Sequence, residues 1–225
     1  MLEKKVVMGL SGGMDSATVL GHYYDQGYVI YPLFFNYGSK HNKYELECSK
    51  KLADYYNTEP LKIVDLDFIG KLFKSNLLDG QGEIPEGYYT DKNMSLTVVP
   101  GRNSIFIAIM AGYAESVGAE IVAVGTHAGD HEIYPDCREV FISAMNTAIQ
   151  LSSDNKVRIK TPIQLLDKTG ILEVGYSLTV PVPYEMTRTC YKDQEFSCGK
   201  CGSCQERLEA FKNIGKKDPI QYQEG

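Results

Sequence analysis

Short runs of β-branched and apolar residues alternate along this chain with longer segments whose apolar residues recur every three to four positions. Residues 5–10 (Lys-Val-Val-Met-Gly-Leu), 29–36, 61–65, 120–125 and 158–161 read as strands. Ala17, Leu20, Gly21 and Tyr24 predict a helix from Ser16 that Gly27 stops, and Tyr44, Cys48, Leu52 and Tyr55 predict one face of a helix over 41–56. Residues 103–117 are nearly all apolar, which predicts a fully buried helix. Val140, Phe141, Ala144 and Ala148 mark the apolar face of a helix over 138–151, and further helices are expected from about Lys168 and over 204–214. Strands separated by helices pair in parallel, so the expected fold is α/β, a Rossmann-like parallel sheet with helices on both faces. Ligands of such sheets bind beyond the carboxyl ends of the strands. That rule gathers residues 11–16, 36–41, those after Asp65, and 126–138 on one rim. Residues 76–99 form the longest stretch without periodicity and are expected to be an active-site lid.

A chain of 225 residues has room for one full domain and an appendage. The expected division is 1–185 for the sheet domain, 186–214 for a cysteine segment and terminal helix, and 215–225 for a tail, all in one structural unit. The 23 Lys and Arg stand against 29 Asp and Glu, a net charge of −6, which disfavours direct binding to nucleic acid. No run approaches the ~18 apolar residues of a membrane span. The first apolar run ends at Leu10, too soon for a secretion signal, so no membrane association and a cytoplasmic location are expected.

Between the first strand and its helix lies Leu10-Ser11-Gly12-Gly13-Met14-Asp15-Ser16. Two glycines let the backbone approach an anion, the amides at the helix start point toward it, and Ser11 and Ser16 add hydroxyls on either side. The segment lacks the Gly-Lys-Ser/Thr of a Walker loop and the Gly-x-Gly-x-x-Gly of a dinucleotide fold. Asp15 suits either Mg²⁺ near a pyrophosphate or the helix dipole. Cys190, Cys198, Cys201 and Cys204 follow C-x7-C-x2-C-x2-C, with Gly199 and Gly202 allowing tight turns. Four thiolates satisfy tetrahedral Zn²⁺ and leave no open position; an iron–sulfur cluster or a redox pair is the alternative. Cys48 is read as a helix-face core residue.

The glycine turn resembles the SGGxDS pyrophosphate loop of the ATP-pyrophosphatase (PP-loop) superfamily, whose members cleave ATP between the α- and β-phosphates and adenylate an oxygen of the substrate. Ser11 to Ser16, Phe35-Asn-Tyr-Gly38 with His41, Val99-Pro-Gly-Arg-Asn103, Tyr134-Pro-Asp-Cys-Arg138, Thr161-Pro162 with Lys168, and Thr189-Cys-Tyr191 leading into the last three cysteines together resemble the 7-cyano-7-deazaguanine synthase family of queuosine biosynthesis. The resemblance covers nearly the whole chain. It implies an adenine nucleotide alpha hydrolase-like fold with a C-terminal four-cysteine zinc segment, and an ATP-dependent ligation of ammonia to 7-carboxy-7-deazaguanine. Adenylation of the carboxylate, amide formation, a second adenylation and loss of AMP would give the nitrile.

By that resemblance ATP lies on Leu10, Ser11, Gly12, Gly13, Met14, Asp15, Ser16, Ala17 and Thr18, with Ser11, Asp15, Ser16, Arg102 and Lys168 as the catalytic set. Arg102 and Arg138 suit the substrate carboxylate or the phosphates, since guanidinium forks match both. Asn103, Asp130, Tyr134 and Asp136 complete the expected substrate contacts, Asp130 and Asp136 as acceptors for the N–H groups of the base. Cys137 is expected to be a packed thiol, and His127 and His131 to make rim contacts rather than hold a second metal. The implied cofactors are ATP, Mg²⁺ and Zn²⁺, and the implied assembly is a homodimer. Thr169-Gly170 and residues 129–134 depart from the family's usual pattern. They leave open a relative that adenylates the same base for another acceptor, alongside a tRNA-thiolating ATP-pyrophosphatase and a non-enzymatic ATP-sensing module.

Overall fold

The structure, a computed structural model, describes residues 3–88, 95–127 and 134–223. Strands β1 (Lys5–Gly9), β2 (Val29–Asn36), β3 (Lys62–Asp65), β4 (Ile121–Ala123) and β5 (Arg158–Lys160) form one sheet in the order β3-β2-β1-β4-β5. Every pairing is parallel, and Val6 of β1 stands between Ile30 and Ile121. The helices are α1 (Met14–Asp25), α2 (Asn42–Tyr55), α3 (Asp67–Leu72), α4 (Arg102–Val117), α5 (Glu139–Ser152), α6 (Lys168–Ser177) and α7 (Gly202–Asn213).

The strand order grows outward from β1 in one direction and then, from β4, in the other. Right-handed crossovers therefore place the helices of the two halves on opposite faces. Side chains alternate across the pleat to match. On one face Val6, Met8 and Ile30 pack under Ala17, Leu20 and Leu52, joined by Ile171 and Leu172 of α6 and Phe211 of α7. On the other, Val7, Leu33, Phe35 and Val122 pack under Ile107, Met110, Ala114, Ile142 and Ile149. Gly21 sets the approach of α1 to its neighbours, since a Cβ there would stand 2.9 Å from Leu178 Cδ1 and 3.0 Å from the Tyr56 hydroxyl.

Three helix faces differ from the sequence expectation. In α2 the buried positions are Ser49, Leu52 and Ala53, while Tyr55 is exposed. Helix α4 is buried along Ile107, Met110, Ala111 and Ala114 and not all round, because the sheet covers one side of it. In α5 the buried positions are Ile142 and Ile149, with Val140 76% exposed and Ala144 and Ala148 exposed. The larger isoleucines, seven apart, outweigh the alanines in choosing the face that is buried.

The two ends of the described part of residues 76–99 are packed, while most of residues 79–88 are exposed or half-buried. Leu77 and Leu78 are buried, Leu78 bridges Ser39, and the Asn76 and Asp79 amides donate to the carbonyls of Leu96 and Gly38. Where backbone amides of this stretch have partners, they are those of turns and loop contacts, which carry no side-chain period. The tail is likewise anchored. Arg207, fully buried, donates to both Asp218 carboxylate oxygens at 2.7 and 2.9 Å, to Thr187 Oγ1 at 2.7 Å, to Thr189 Oγ1 at 3.2 Å and to the Tyr184 carbonyl at 3.0 Å. Among the described residues no helix is long and apolar enough to cross a membrane.

Candidate active site

A cavity of about 240 Å³ lies where the strand order reverses, beyond the carboxyl ends of β1 and β4. This is where an open parallel sheet leaves a crevice. Its floor is the glycine turn. The Leu10 amide donates to the Leu33 carbonyl at 2.8 Å, extending the β1 ladder by one residue, and the Leu10 carbonyl accepts from Ser49 Oγ at 2.8 Å. The chain then turns through Gly12 at φ +76°, where a Cβ would stand 2.6 Å from the Glu45 carbonyl oxygen. Gly13 is the residue before α1, and no side-chain oxygen caps that helix. The first amides of α1 are thus left for an anion. Ser11 Oγ and Ser16 Oγ stand 3.1 Å apart, and Ser16 Oγ donates to the Gly13 carbonyl at 3.1 Å.

Of the nine expected nucleotide contacts, Leu10, Ser11, Gly13, Met14, Asp15 and Ser16 line the cavity, and Gly12 shapes the turn beneath them. Ala17 and Thr18 do not. Helical rotation turns both into the core, where Thr18 Oγ1 donates to the Met14 carbonyl at 2.9 Å and stands 2.8 Å from the Tyr184 hydroxyl.

Two cations reach the cavity from helix starts, where the dipole disfavours positive charge. Lys168 opens α6, whose amide end is capped by Asp167 accepting from the Gly170 amide at 2.7 Å. Its Nζ contacts the two Asp15 carboxylate oxygens at 2.8 and 2.6 Å. His127 Nε2 lies 3.7 Å from the same carboxylate. Burial would raise the Asp15 pKa, but the charge of Lys168, with a smaller effect of His127, outweighs it and holds the carboxyl below its ordinary value. His127 is buried behind Asp15 and does not line the cavity, contrary to the rim contact expected of it.

Arg102 opens α4 and lines the cavity, its Nη1 donating to the Tyr37 hydroxyl at 3.4 Å. Burial works against its charge, yet the Tyr37 and Tyr134 hydroxyls and the Cys137 thiol more than offset this and hold it protonated. Asn103 and Tyr134 also line the cavity, and the Tyr134 hydroxyl is 3.0 Å from Thr97 Oγ1. Asp136 and Arg138 do not. One oxygen of the Asp136 carboxylate accepts the Asn103 backbone amide at 3.0 Å, and so holds the start of α4 in place. Arg138 is exposed and immediately precedes α5. Cys137 is buried, its Sγ accepting from Asn103 Nδ2 at 3.2 Å, and it also lines the cavity. Asp130 and His131 lie outside the described residues.

Sequence spacing alone missed much of the opposite wall. Tyr37, His41 and Glu45 line it from the β2–α2 connection, and Arg188, Thr189, Tyr191, Ser203 and Glu206 line it from the cysteine segment. Tyr37 and His41 lie in a stretch the sequence marks. The return of residues 188–206 to the rim depends on a long-range contact, the Arg188 amide donating to the Gly12 carbonyl at 2.8 Å.

The four sulfur atoms of Cys190, Cys198, Cys201 and Cys204 lie within 4.8 Å of one another, all buried. A tetrahedron of ~2.3 Å metal–sulfur bonds has edges of about 3.8 Å, and Cys198 Sγ to Cys204 Sγ is 3.9 Å. The Cys198 amide donates to Cys190 Sγ at 3.3 Å, and the Lys200 and Cys201 amides donate to Cys198 Sγ at 3.4 and 3.3 Å, as thiolate ligands require. The donor set fits a tetrahedral metal ion, and among the described residues no other group of His, Cys, Asp and Glu is close enough to hold one.

Comparison with known proteins agrees with this geometry. The family model of the queuosine biosynthesis protein QueC matches residues 5–215. The chain is 47% identical to the 7-cyano-7-deazaguanine synthase of Caldicellulosiruptor saccharolyticus over 219 residues, 97% of this chain and 96% of the relative. It is 45% identical to that of Methanoregula boonei over 97% of this chain and 99% of the relative. Among solved structures, the NMN synthetase of Francisella tularensis superimposes with a TM-score of 0.54 at 16% identity, covering 96% of this chain and 79% of the other, a likeness of fold.

Proposed function

The chain belongs to the queuosine biosynthesis protein QueC family, and we propose that it is an ATP-dependent ligase converting 7-carboxy-7-deazaguanine and ammonia to 7-cyano-7-deazaguanine. The observation that carries this reading is the convergence of the glycine turn, Lys168 and Arg102 on one cavity at the reversal of strand order. A carboxylate is activated by making its oxygen a better leaving group. Attack of the substrate carboxylate on the α-phosphorus expels pyrophosphate, whose developing charge meets the first amides of α1 and the Ser11 and Ser16 hydroxyls. Arg102 holds the carboxylate, since a guanidinium fork matches two oxygens. Ammonia displaces AMP to give the amide. The amide oxygen then attacks a second ATP in the same way, and loss of AMP with two protons leaves the nitrile.

Lys168, which contacts Asp15, would pair with the phosphates of a bound nucleotide, and Asp15 would then offer an oxygen to Mg²⁺, which would supply charge compensation on the leaving pyrophosphate. Cys190, Cys198, Cys201 and Cys204 hold Zn²⁺ in a closed, structural site that fixes the wall formed by Thr189 and Tyr191. A reduced thiolate site suits the cytoplasm. The net charge of −6 fits a free base as substrate better than a nucleic acid. The exposed Val140 and Leu151 of α5 give a homodimer an apolar contact.

The test is a product assay with Mg-ATP and ammonium, with or without 7-carboxy-7-deazaguanine, following the base by mass spectrometry and the nucleotide by chromatography. Nitrile with substrate-dependent AMP is expected. No substrate-dependent AMP from folded, zinc-loaded protein would remove the synthase reading.

A further inference from the structure

The cavity is lined by apolar residues, Phe35, Phe106, Met110 and Ala123 among them, and by polar ones that include Tyr37, His41, Glu45 and Arg188. Phe35 and Phe106 are stacked, with ring centroids 4.0 Å apart. A nucleotide needs the glycine turn and an apolar surface for its base, and neither need calls for a carboxylate. Asp15 is compensated by Lys168. Glu45 is another matter. It lies on the first turn of α2, its backbone pressed against Gly12, so it stands beside the place where phosphate charge collects. A negative side chain there works against anion binding, an effect that the cavity's own cation Arg188 or the hydrogen-bond donors of a second ligand would offset.

Two further observations point to such a ligand. Glu45 Oε1 is 3.4 Å from His41 Nε2, which fixes the carboxylate from its own helix start, while the other ring nitrogen, Nδ1, is buried with no hydrogen-bond partner. His41 is 2% exposed and lines the cavity, tilted on the ring of Tyr191. A buried, unpartnered imidazole nitrogen is costly without a ligand or a water. Burial pushes the Tyr37 hydroxyl pKa up, the charge of Arg102 works against that and the charge of Glu45 adds to it. A cation and a carboxylate thus both act on one hydroxyl in the cavity that all three residues line.

We propose that Glu45, positioned by His41, is the specificity determinant for the base, accepting the ring N–H and the adjacent amino group of a guanine-type edge while Arg102 holds the carboxylate at the other end of the same molecule. Two adjacent donors match the two oxygens of a carboxylate, and an adenine-type edge, with an acceptor in place of the ring N–H, does not. The assignment rests on the proposed reaction for the identity of the base. It adds how the site tells that base from the adenine it must also admit.

The experiment measures substrate-dependent ATP–pyrophosphate exchange in wild type, Glu45→Gln and His41→Gln, with 7-carboxy-7-deazaguanine and with its analogue lacking the 2-amino group. Calorimetric binding of both bases to the same three proteins accompanies it. A hydrogen bond to a charged group stabilises by about 1.5–3 kcal/mol, so Glu45→Gln is expected to raise the KM and Kd for the full base roughly 10- to 100-fold. The ATP KM should stay within about twofold and the preference for the 2-amino group should vanish. His41→Gln should shift the same constants by a smaller factor and leave the analogue unaffected. Glutamine keeps the volume of glutamate, so folding is preserved, and a melting curve checks it. Retained preference in Glu45→Gln overturns the proposal, as does a shift that falls on the ammonium KM and not on the base. Selective binding without exchange in wild type would leave the edge contact standing and remove the reaction. Exchange without selectivity would do the reverse.

Discussion

Arg207, in the C-terminal segment, is fully buried and Arg102, at the rim of the sheet, is half-buried, and their partners differ in kind. All five guanidinium donors of Arg207 are engaged, two of them by the Asp218 carboxylate and the rest by Thr187, Thr189 and the Tyr184 carbonyl. Arg102 has one hydrogen bond among the described residues, at 3.4 Å to Tyr37, and the rest of its fork is left to the cavity. The first arginine is a finished structural joint, and the second is charge held ready for a ligand. The same contrast separates the two polar centres. The cysteine cluster is closed, whereas the glycine turn is open. Stability should therefore concentrate in the C-terminal segment and activity at the rim, and the variants below set out to break that division.

The largest effect belongs to the cysteine cluster. Cys201→Ser, or removal of the metal by a chelator, leaves buried thiols without the cation that would let them share one small space. The expected loss is about 5 kcal/mol or more, a fall in Tm of at least ~10 °C. Nucleotide binding should go with it, because Thr189 and Tyr191 lie on either side of Cys190 and line the cavity. Melting curves with and without chelator, alongside metal content, decide this; an unchanged Tm in a metal-free protein would show that the cluster has no structural role. Arg207→Met comes next. It leaves the Asp218 carboxylate, 7% exposed, without its cation and with only the Ile220 amide and the Tyr222 hydroxyl as donors, at a cost of about 3 kcal/mol. The double variant Arg207→Met/Asp218→Leu should recover part of the loss in urea titration, and failure to recover would mean that the hydrogen bonds around the pair, from Arg207 to Thr187 and Tyr184 and from Ile220 and Tyr222 to Asp218, matter more than the ion pair.

At the rim the ordering reverses. Arg102→Lys keeps the charge and loses the fork, so kcat/KM should fall about a hundredfold while Tm stays level or rises. A parallel fall in Tm would place Arg102 with Arg207 as a structural residue. Gly12→Ala lies between the two classes. Its φ of +76° and the Glu45 carbonyl 2.6 Å from the new Cβ are both backbone constraints, which the neighbour cannot relieve by rotating a side chain. The expected cost is about 2 kcal/mol in stability, with nucleotide affinity falling further, since the turn itself must shift. Paired urea and calorimetric titrations separate the two losses.

The two regions were unequally legible in the sequence. β2 is observed at Val29–Asn36, the range its apolar run marks, and the glycine turn sits in the strand–turn–helix setting that its residues require. These are local signals, fixed by the period of side chains and by φ. The cysteine spacing was legible for the same reason. Helix faces were less so, because α4 and α5 carry apolar residues on more sides than the sheet can cover, and tertiary packing chooses among them. The far wall of the cavity was least legible. Tyr191 and Glu206 reach the rim because the Arg188 amide meets Gly12 across more than 170 residues, a contact that no periodicity encodes. Asp136 shows the opposite case. A charged residue in a motif on the rim reads as a ligand contact, and the structure adds a role the motif does not announce, one of its carboxylate oxygens accepting the Asn103 amide.

The smallest effect tests whether the rim contributes to stability at all. Asp15 is about a quarter exposed, and its contact with Lys168 lowers its pKa from 3.8 against the pull of burial. A carboxyl whose pKa is lower in the folded state binds its proton less readily there than in the unfolded chain. Its contribution is therefore complete above the unfolded value, about pH 4, and is lost as pH falls through the lower folded value. The urea midpoint of the wild type should then drop more steeply below about pH 4 than that of Asp15→Asn, and the two proteins should run parallel above it. Equal slopes at low pH would mean that the ion pair, screened by solvent, adds nothing to the fold. The pairing of Asp15 with Lys168 would then serve to hold both side chains for the nucleotide, and the division between a structural C-terminal segment and a reactive rim would be sharper than the two arginines alone make it.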